Sequence, residues 1–150
     1  MHPSALDMNE QGRNGLQELV RQLCSNAKIP MYHTWNSKFS AAGFPDCIIF
    51  VERPALAMIV VELKKEKRRP SRPQAMWLDL FARLSDRAPD LIEVYLWRPT
   101  HWLDGTISDR LVAGRLDLDG PVRASGRWEA GRGPGGDRFG TPSKRGTVLI

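Results

Sequence analysis

The sequence predicts an α/β fold in which a mixed central sheet is flanked by helices, with the elements in the order α-β-β-β-α-β. Three observations carry that expectation. Two stretches, one near the N-terminus and one beginning at Ser71, repeat apolar residues at helical spacing. Two short runs rich in β-formers, Cys47-Ile48-Ile49-Phe50-Val51 and Ala57-Met58-Ile59-Val60-Val61, stand on either side of Glu52-Arg53-Pro54. A further β-rich run, Leu91 to Trp97, follows the second helical stretch.

Met8 to Ala27 is predicted as the first helix because Leu16, Leu19, Val20 and Leu23 form one apolar stripe, and Asn26 to Pro30 ends it. Met31 to Trp35 is short, with aromatic and β-branched character, and reads as an edge strand. Asn36 to Pro45 is polar and reads as a loop. The Pro-containing turn makes the next two runs an antiparallel hairpin, followed by the basic run Lys64 to Arg69. In the second helix Ser71 suits the N-cap, Pro73 the first turn and Gln74 the third position. Trp77, Leu80, Phe81 and Leu84 mark its expected buried face. Leu91 to Trp97 alternates as a half-buried strand does. His101 to Leu116 reads as an irregular segment or short helix that closes the same domain.

At 150 residues, 41% hydrophobic and 26% charged, the chain has the size and composition of one ordinary domain, assigned to residues 1–118. From Gly120 onward glycine, proline and scattered charge dominate, and such a segment cannot bury enough apolar surface to offset its ordering entropy. Residues 119–150 are therefore expected to be a mostly disordered, Gly/Arg-rich basic tail; Thr147-Val148-Leu149-Ile150 has no assigned docking place. No apolar run approaches the roughly 20 residues that span a bilayer. Met1 to Gln11 lacks a signal-like apolar segment, so a cytoplasmic location is expected. Cys24 and Cys47 have apolar neighbours and no partner at metal-ligand spacing, which argues against a zinc site and for reduced core residues. Net charge is +5, which suits an anionic partner. From Pro121 on, six basic residues against two acidic ones leave +4, so the excess lies mostly outside the predicted domain.

Strand geometry points to chemistry at one end of the hairpin. With the hairpin symmetric about Pro54, Val51 opposes Ala57 and Asp46 opposes Glu62; opposed residues share a face at about 5 Å. Glu62 and Lys64 share that face while Leu63 points away. Two adjacent carboxylates repel unless one is protonated or a cation lies between them, and oxygen ligands of this kind suit Mg²⁺. Such an ion polarises a phosphoryl oxygen and acidifies water. Lys64 then positions or helps deprotonate that water, or neutralises charge on the phosphorane. The pattern is that of phosphodiester hydrolysis, although strand-end Asp and Glu-x-Lys fragments taken singly are usually just solvated.

The order Met31-Tyr32-His33-Thr34, Asn36-Ser37-Lys38, Gly43-Phe44-Pro45-Asp46, Glu62-Leu63-Lys64, Gln74 with Trp77, and Glu93 to Pro99 resembles the PD-(D/E)xK nuclease superfamily, and within it the VRR-NUC (virus-type replication-repair nuclease) group. The resemblance runs from Leu16 to about Leu111. It implies a restriction-endonuclease-like core and a Mg²⁺-dependent DNA endonuclease, with Mn²⁺ as a substitute. Asp46, Glu62 and the Leu63 carbonyl would hold the metal, Lys64 would be the catalytic lysine, and Gln74 would line the site. Gln74 also completes a capping box with Ser71, and the two roles are compatible. The family's first-helix Glu falls here on Arg13. Glu10 is the favoured substitute over Glu18, which faces away from the Leu16/Leu23 stripe, unless that acid is absent. His33 is either a general base or a structural hydrogen-bonding residue, and Trp77 is expected in the core. Lys38 and Ser40, in a loop with Asn36 and Ser37, have donors suited to phosphates; Lys65, Lys67, Arg68 and Arg69 suit a DNA backbone or are simply solvated. The expected substrate is branched or Holliday-junction DNA, cut during replication and repair by a homodimer in a bacterial or phage-infected cell. The competing expectation is a catalytically degenerate DNA-binding module of the same fold.

Overall fold

The computed structural model describes residues 8–10, 12, 15–34, 38, 40–114 and 125–131. Its centre is the hairpin. β2 (Cys47–Val51) and β3 (Ala57–Leu63) pair antiparallel with Val51 opposite Ala57 and Cys47 opposite Val61. This is the register that symmetry about Pro54 predicts. β1 (Met31–His33) adds antiparallel to the outer edge of β2, and β4 (Ile92–Trp97) adds parallel to β3. The sheet is therefore mixed, in the order β1-β2-β3-β4. A parallel neighbour cannot be reached by a tight turn, and α2 (Arg72–Arg87) makes the crossover.

Each face of the sheet carries its own core. On one side Ile49, Ile59, Val61, Leu63, Tyr95 and Trp97 pack on Leu16, Val20 and Cys24 of α1 (Leu16–Asn26), with Ile107 and Leu111 from the chain after β4. That later chain forms α3 (Pro99–Leu103), the single turn α4 (Thr106–Ser108) and a π-helical turn, Asp109–Ala113. On the other side Val60, Val94 and Leu96 pack against Ala75, Leu78 and Ala82 of α2. Helices on both faces bury β4 almost throughout, so it is not the half-buried strand its sequence suggests. Both cysteines are free and buried, and burial pushes their thiols up, Cys24 to about 11. Among the described residues no helix is long and apolar enough to cross a membrane.

Three expectations need correction. The first helix begins at Leu16 and not at Met8: Gly12 has φ +106° and Gly15 is the N-cap, so residues 8–10 run into α1 without being helical. On α2 the sheet-facing stripe is Ala75, Leu78, Ala82 and Ser85; Leu80 and Leu84 are exposed, with Trp77 and Phe81 at the flank. Small side chains let the helix lie close to the sheet, and the larger ones are turned aside. Within the stretch expected to be a disordered tail, residues 125–131 are ordered against β4. The Leu96 amide donates to Gly126 O at 2.7 Å, the Trp128 amide donates to Val94 O at 2.8 Å, and Tyr95 pairs with Arg127. Trp128 is buried, and its Nε1 donates to Asp79 Oδ1 at 2.7 Å. Residues 119–124 and 132–150, including the Thr147–Ile150 end, lie outside the described residues.

The outer rim of β4 is held by a buried ion pair. Glu93 accepts from Arg110 Nε at 2.9 Å, from Arg110 Nη2, and from the Tyr95 hydroxyl at 2.6 Å. Burial would raise the Glu93 carboxyl, but the Arg110 and Tyr95 bonds outweigh it and hold the group below its ordinary range. Arg110 also donates to Arg53 O at 3.0 Å, tying the π-helical turn to the hairpin turn.

Candidate active site

Asp46 immediately precedes β2, and Glu62 is the penultimate residue of β3. The register carries Asp46 opposite Glu62, on the face that also holds Ile48, Met58 and Val60 and looks toward α2. The Leu63 amide donates to Asp46 Oδ2 at 2.9 Å, which fixes the Asp46 carboxylate across the strand end. Lys64 follows β3, and its own amide donates to Trp97 O at 3.0 Å, so the ladder holds its backbone. Its ammonium stands 3.2 Å from Glu62 Oε1. The three residues expected to act together are together.

The loop that delivers Asp46 is docked on α2. Phe44 meets Trp77 edge to face at 5.1 Å and Phe81 at 6.0 Å, and Trp77 Nε1 donates to Ala42 O at 3.1 Å. Trp77 is thus neither a deep core residue nor an open stacking platform; it anchors this loop. Gly43 has φ +78°, and a Cβ there would stand 2.4 Å from Pro73 C and 2.5 Å from the Gln74 amide nitrogen. Gly43→Ala is expected to cost about 2–4 kcal/mol through positive φ and overpacking against backbone. Thermal melting checks this, and a melting point equal to wild type would show that the loop is not clamped as described.

The electrostatics of the pair are unusual for surface carboxylates. Glu62 is 1% exposed. Burial, then the neighbouring Asp46 charge, pushes its carboxyl up to about 8, with Lys64 opposing the rise. Asp46 is raised as well, by burial first and by Glu10 among its neighbours, while the Leu63 amide and Lys64 pull the other way. Lys64 is close enough to Glu62 for an ion pair, yet its direction does not meet hydrogen-bond geometry. Among the described residues neither Glu62 oxygen has a hydrogen-bond partner. A buried carboxylate without donors is costly unless a proton or a cation compensates it.

The donor set fits a hard divalent ion. Among the described residues no group of three His, Cys, Asp or Glu side chains is placed to hold a metal. Mg²⁺ asks for less, being bound through one or two carboxylates with waters completing the shell. The unsatisfied oxygens of Glu62, with Asp46 beside it and the Leu63 carbonyl between Glu62 and Lys64 in the chain, meet that requirement.

The remaining predicted residues fall into three groups. Glu10 is not on the first helix, but it is near the site: its Oε1 accepts from the Lys65 amide at 2.9 Å, and its charge is felt at Asp46. Glu18 pairs with Arg21 at 2.6 Å, away from the site, and the Arg21 and Gln22 bonds lower it to about 2. Arg13 lies outside the described residues, as do Asn36 and Ser37. Gln74 makes the capping box, taking the Ser71 amide at 2.8 Å on Oε1 while its own amide reaches Ser71 Oγ at 3.4 Å. Its carbonyl oxygen is therefore engaged at the helix start, against Gly43. His33 Nδ1 lies 3.1 Å from Gln17 Nε2, a structural contact between β1 and α1. Lys38, Ser40, Lys65, Lys67, Arg68 and Arg69 are exposed.

Sequence reasoning missed Arg98, Glu66 and Thr100, which organise the turn after Lys64. The available signal was an arginine directly after the apolar run Val94-Tyr95-Leu96-Trp97 and directly before Pro99, where chain direction changes. A groove of about 690 Å³ opens at the far end of the hairpin among Ile29, Phe50, Leu56 and Leu111, and no predicted site residue lines it. Compared with protein-family models, with curated proteins and with solved structures, the chain has no match, and the assignment of chemistry rests on the geometry above.

Proposed function

We propose that the chain is a divalent-metal-dependent deoxyribonuclease of the PD-(D/E)xK type, with a restriction-endonuclease-like core similar to that of the VRR-NUC group. The observation that carries this reading is the buried Glu62 carboxyl, without a hydrogen-bond donor among the described residues, facing Asp46 and with the Lys64 ammonium 3.2 Å away as its ion-pair partner. When bound, Mg²⁺ or Mn²⁺ supplies Lewis-acid polarisation of a phosphoryl oxygen and acidifies the attacking water. Asp46, Glu62 and the Leu63 carbonyl would provide the oxygen donors. Lys64 orients the water or offsets charge gathering on the phosphorane, at a position fixed by the β3–β4 ladder. Lys65, Lys67, Arg68 and Arg69 track the DNA backbone beside the site, with Lys38 and Ser40 on the opposite loop.

The proposed substrate is branched DNA, including four-way junctions. Symmetric incision of a junction needs two active sites, which a two-fold homodimer supplies. The test is cleavage of labelled four-way junction, flap and linear duplex with Mg²⁺, Mn²⁺ or EDTA. Metal-dependent cutting, strongest on the branched substrates, is expected. Binding without product under every metal condition would overturn the enzyme and leave a DNA-binding module of the same fold.

A further inference from the structure

The basic run after the catalytic strand is not a loose solvated segment. Residues 65–68 form a tight turn, closed by the Arg68 amide donating to Lys65 O at 3.1 Å. Arg98, at the end of β4, reaches into this turn from below. Its Nη1 lies 2.6, 3.0 and 2.6 Å from the carbonyl oxygens of Lys65, Glu66 and Arg68. The Glu66 carboxylate is held in turn by the Thr100 amide at 3.1 Å and by the Thr100 hydroxyl. On the other flank Glu10 takes the Lys65 amide at 2.9 Å. Three carbonyls within four residues therefore converge on one guanidinium nitrogen, which carries the Lys65, Lys67 and Arg68 side chains to the solvent side, where all three are exposed.

Such a scaffold is unexpected for a charge run that only keeps a surface wet. Lys65, Lys67, Arg68 and Arg69, interrupted only by Glu66, repel one another, and a free loop would spread them. Arg98 is itself half-buried and its guanidinium is partly desolvated, a cost that the three turn carbonyls and the Glu66 and Glu10 charges offset while the turn keeps this shape. The turn is also continuous with the chemistry, since it begins at the residue after Lys64, whose amide is held by Trp97 O next to Arg98.

We propose that Arg98 is a positioning residue that locks the turn at 65–68 into one shape, so that Lys67 and Arg68 engage consecutive DNA phosphates next to the scissile one. This deepens the nuclease reading and rests on it for the identity of the ligand, but binding reads it without any cleavage. A preset turn binds its phosphates without ordering cost, whereas a released one must be ordered each time.

The experiment is fluorescence-anisotropy titration of a labelled four-way junction in EDTA across a salt series, on the full chain. Lys67→Gln with Arg68→Gln removes two exposed cations and should make the plot of log affinity against log salt shallower by about 1–2, weakening binding roughly three- to tenfold. Arg98→Ala should lose a similar part of the slope although it removes neither Lys67 nor Arg68, and the triple variant should lose little more. In Mg²⁺, Arg98→Ala should raise KM with kcat nearly kept. A merely structural role would instead lower the active fraction, leaving slope and KM unchanged. Thr100→Val, which keeps Arg98 and deletes one tether of Glu66, should show part of the same loss and decides the matter if Arg98→Ala does not fold. A wild-type slope in Arg98→Ala, or in Thr100→Val where the former is unfolded, overturns the proposal. So does an unchanged slope in the Lys67/Arg68 variant, or absence of salt-dependent DNA binding by wild type. Wild type that binds with the expected slope but never cuts leaves the Arg98 clamp standing and removes the nuclease reading.

Discussion

Lys64→Ala is expected to lower DNA cleavage by about 100–1000-fold, the range seen when one preorganised donor of transition-state charge is removed. DNA binding should be largely retained, because the exposed cations of the adjoining turn are untouched. The ammonium is the group that faces Glu62, and its side chain is only 11% exposed. Taking it away also removes the attraction that opposes the rise in the Glu62 and Asp46 pKa values. The carboxylate pair then competes for a divalent ion with no neighbouring cation, so metal affinity should hold or improve. This separates Lys64 from the ligands: excess Mg²⁺ should not rescue Lys64→Ala, whereas Asp46→Asn should recover part of its activity as metal concentration rises. Cleavage rates measured across a metal titration distinguish the two. Undiminished cutting by Lys64→Ala would remove the lysine from the mechanism and with it the central assignment.

What the sequence reveals here is mostly local. The hairpin register is readable because two β-rich runs flank a Pro-containing turn, and once Val51 faces Ala57 the opposition of Asp46 and Glu62 follows from period-two geometry. The α2 cap is readable for the same reason, as Ser71 and Gln74 lie three residues apart. The buried stripe of α2 is harder. Ala75, Leu78, Ala82 and Ser85 have the helical period too, but bulky Leu80 and Leu84 give a louder hydrophobic signal than small residues at a close helix–sheet contact. Trp128 is hidden by its glycine-rich surroundings; its burial depends on pairing with Val94 and on Asp79, both distant in sequence. Arg98 belongs to this second kind. Its meaning lies in carbonyls about thirty residues earlier, and no local pattern announces them.

The stability of the metal-free protein should fall as pH rises from about 5 to 8, and Glu62→Gln should remove most of that fall, leaving the smaller part that the raised Asp46 carboxyl contributes. Glu62 ionises near its ordinary 4.5 when unfolded but at about 8 when folded. Between those values the native state holds a proton that the unfolded state has released, so each step up in pH favours unfolding. The contribution is fully present below about pH 4.5 and lost as pH passes 8. A difference of this size is worth on the order of 5 kcal/mol, or roughly 10–20 °C in Tm for a chain of this length. Glutamine keeps the shape and carries no titrating proton, so the variant should have a much shallower profile across the window and melt above wild type at pH 8. Divalent ions should act in the opposite sense, binding the ionised pair and raising wild-type Tm most at alkaline pH. At one hundred times Kd that gain is about 2.7 kcal/mol. Glu62→Gln should lose the response to Mg²⁺ and Mn²⁺. Melting curves from pH 5 to 8.5, with EDTA or added metal, read both effects at once. Parallel pH profiles for wild type and Glu62→Gln would mean that burial does not raise the Glu62 carboxyl as its surroundings imply. A metal response that survives the substitution would place the ion elsewhere. A steep wild-type profile, flattened either by glutamine or by metal, would tie the buried charge and the cation site to the same two oxygens.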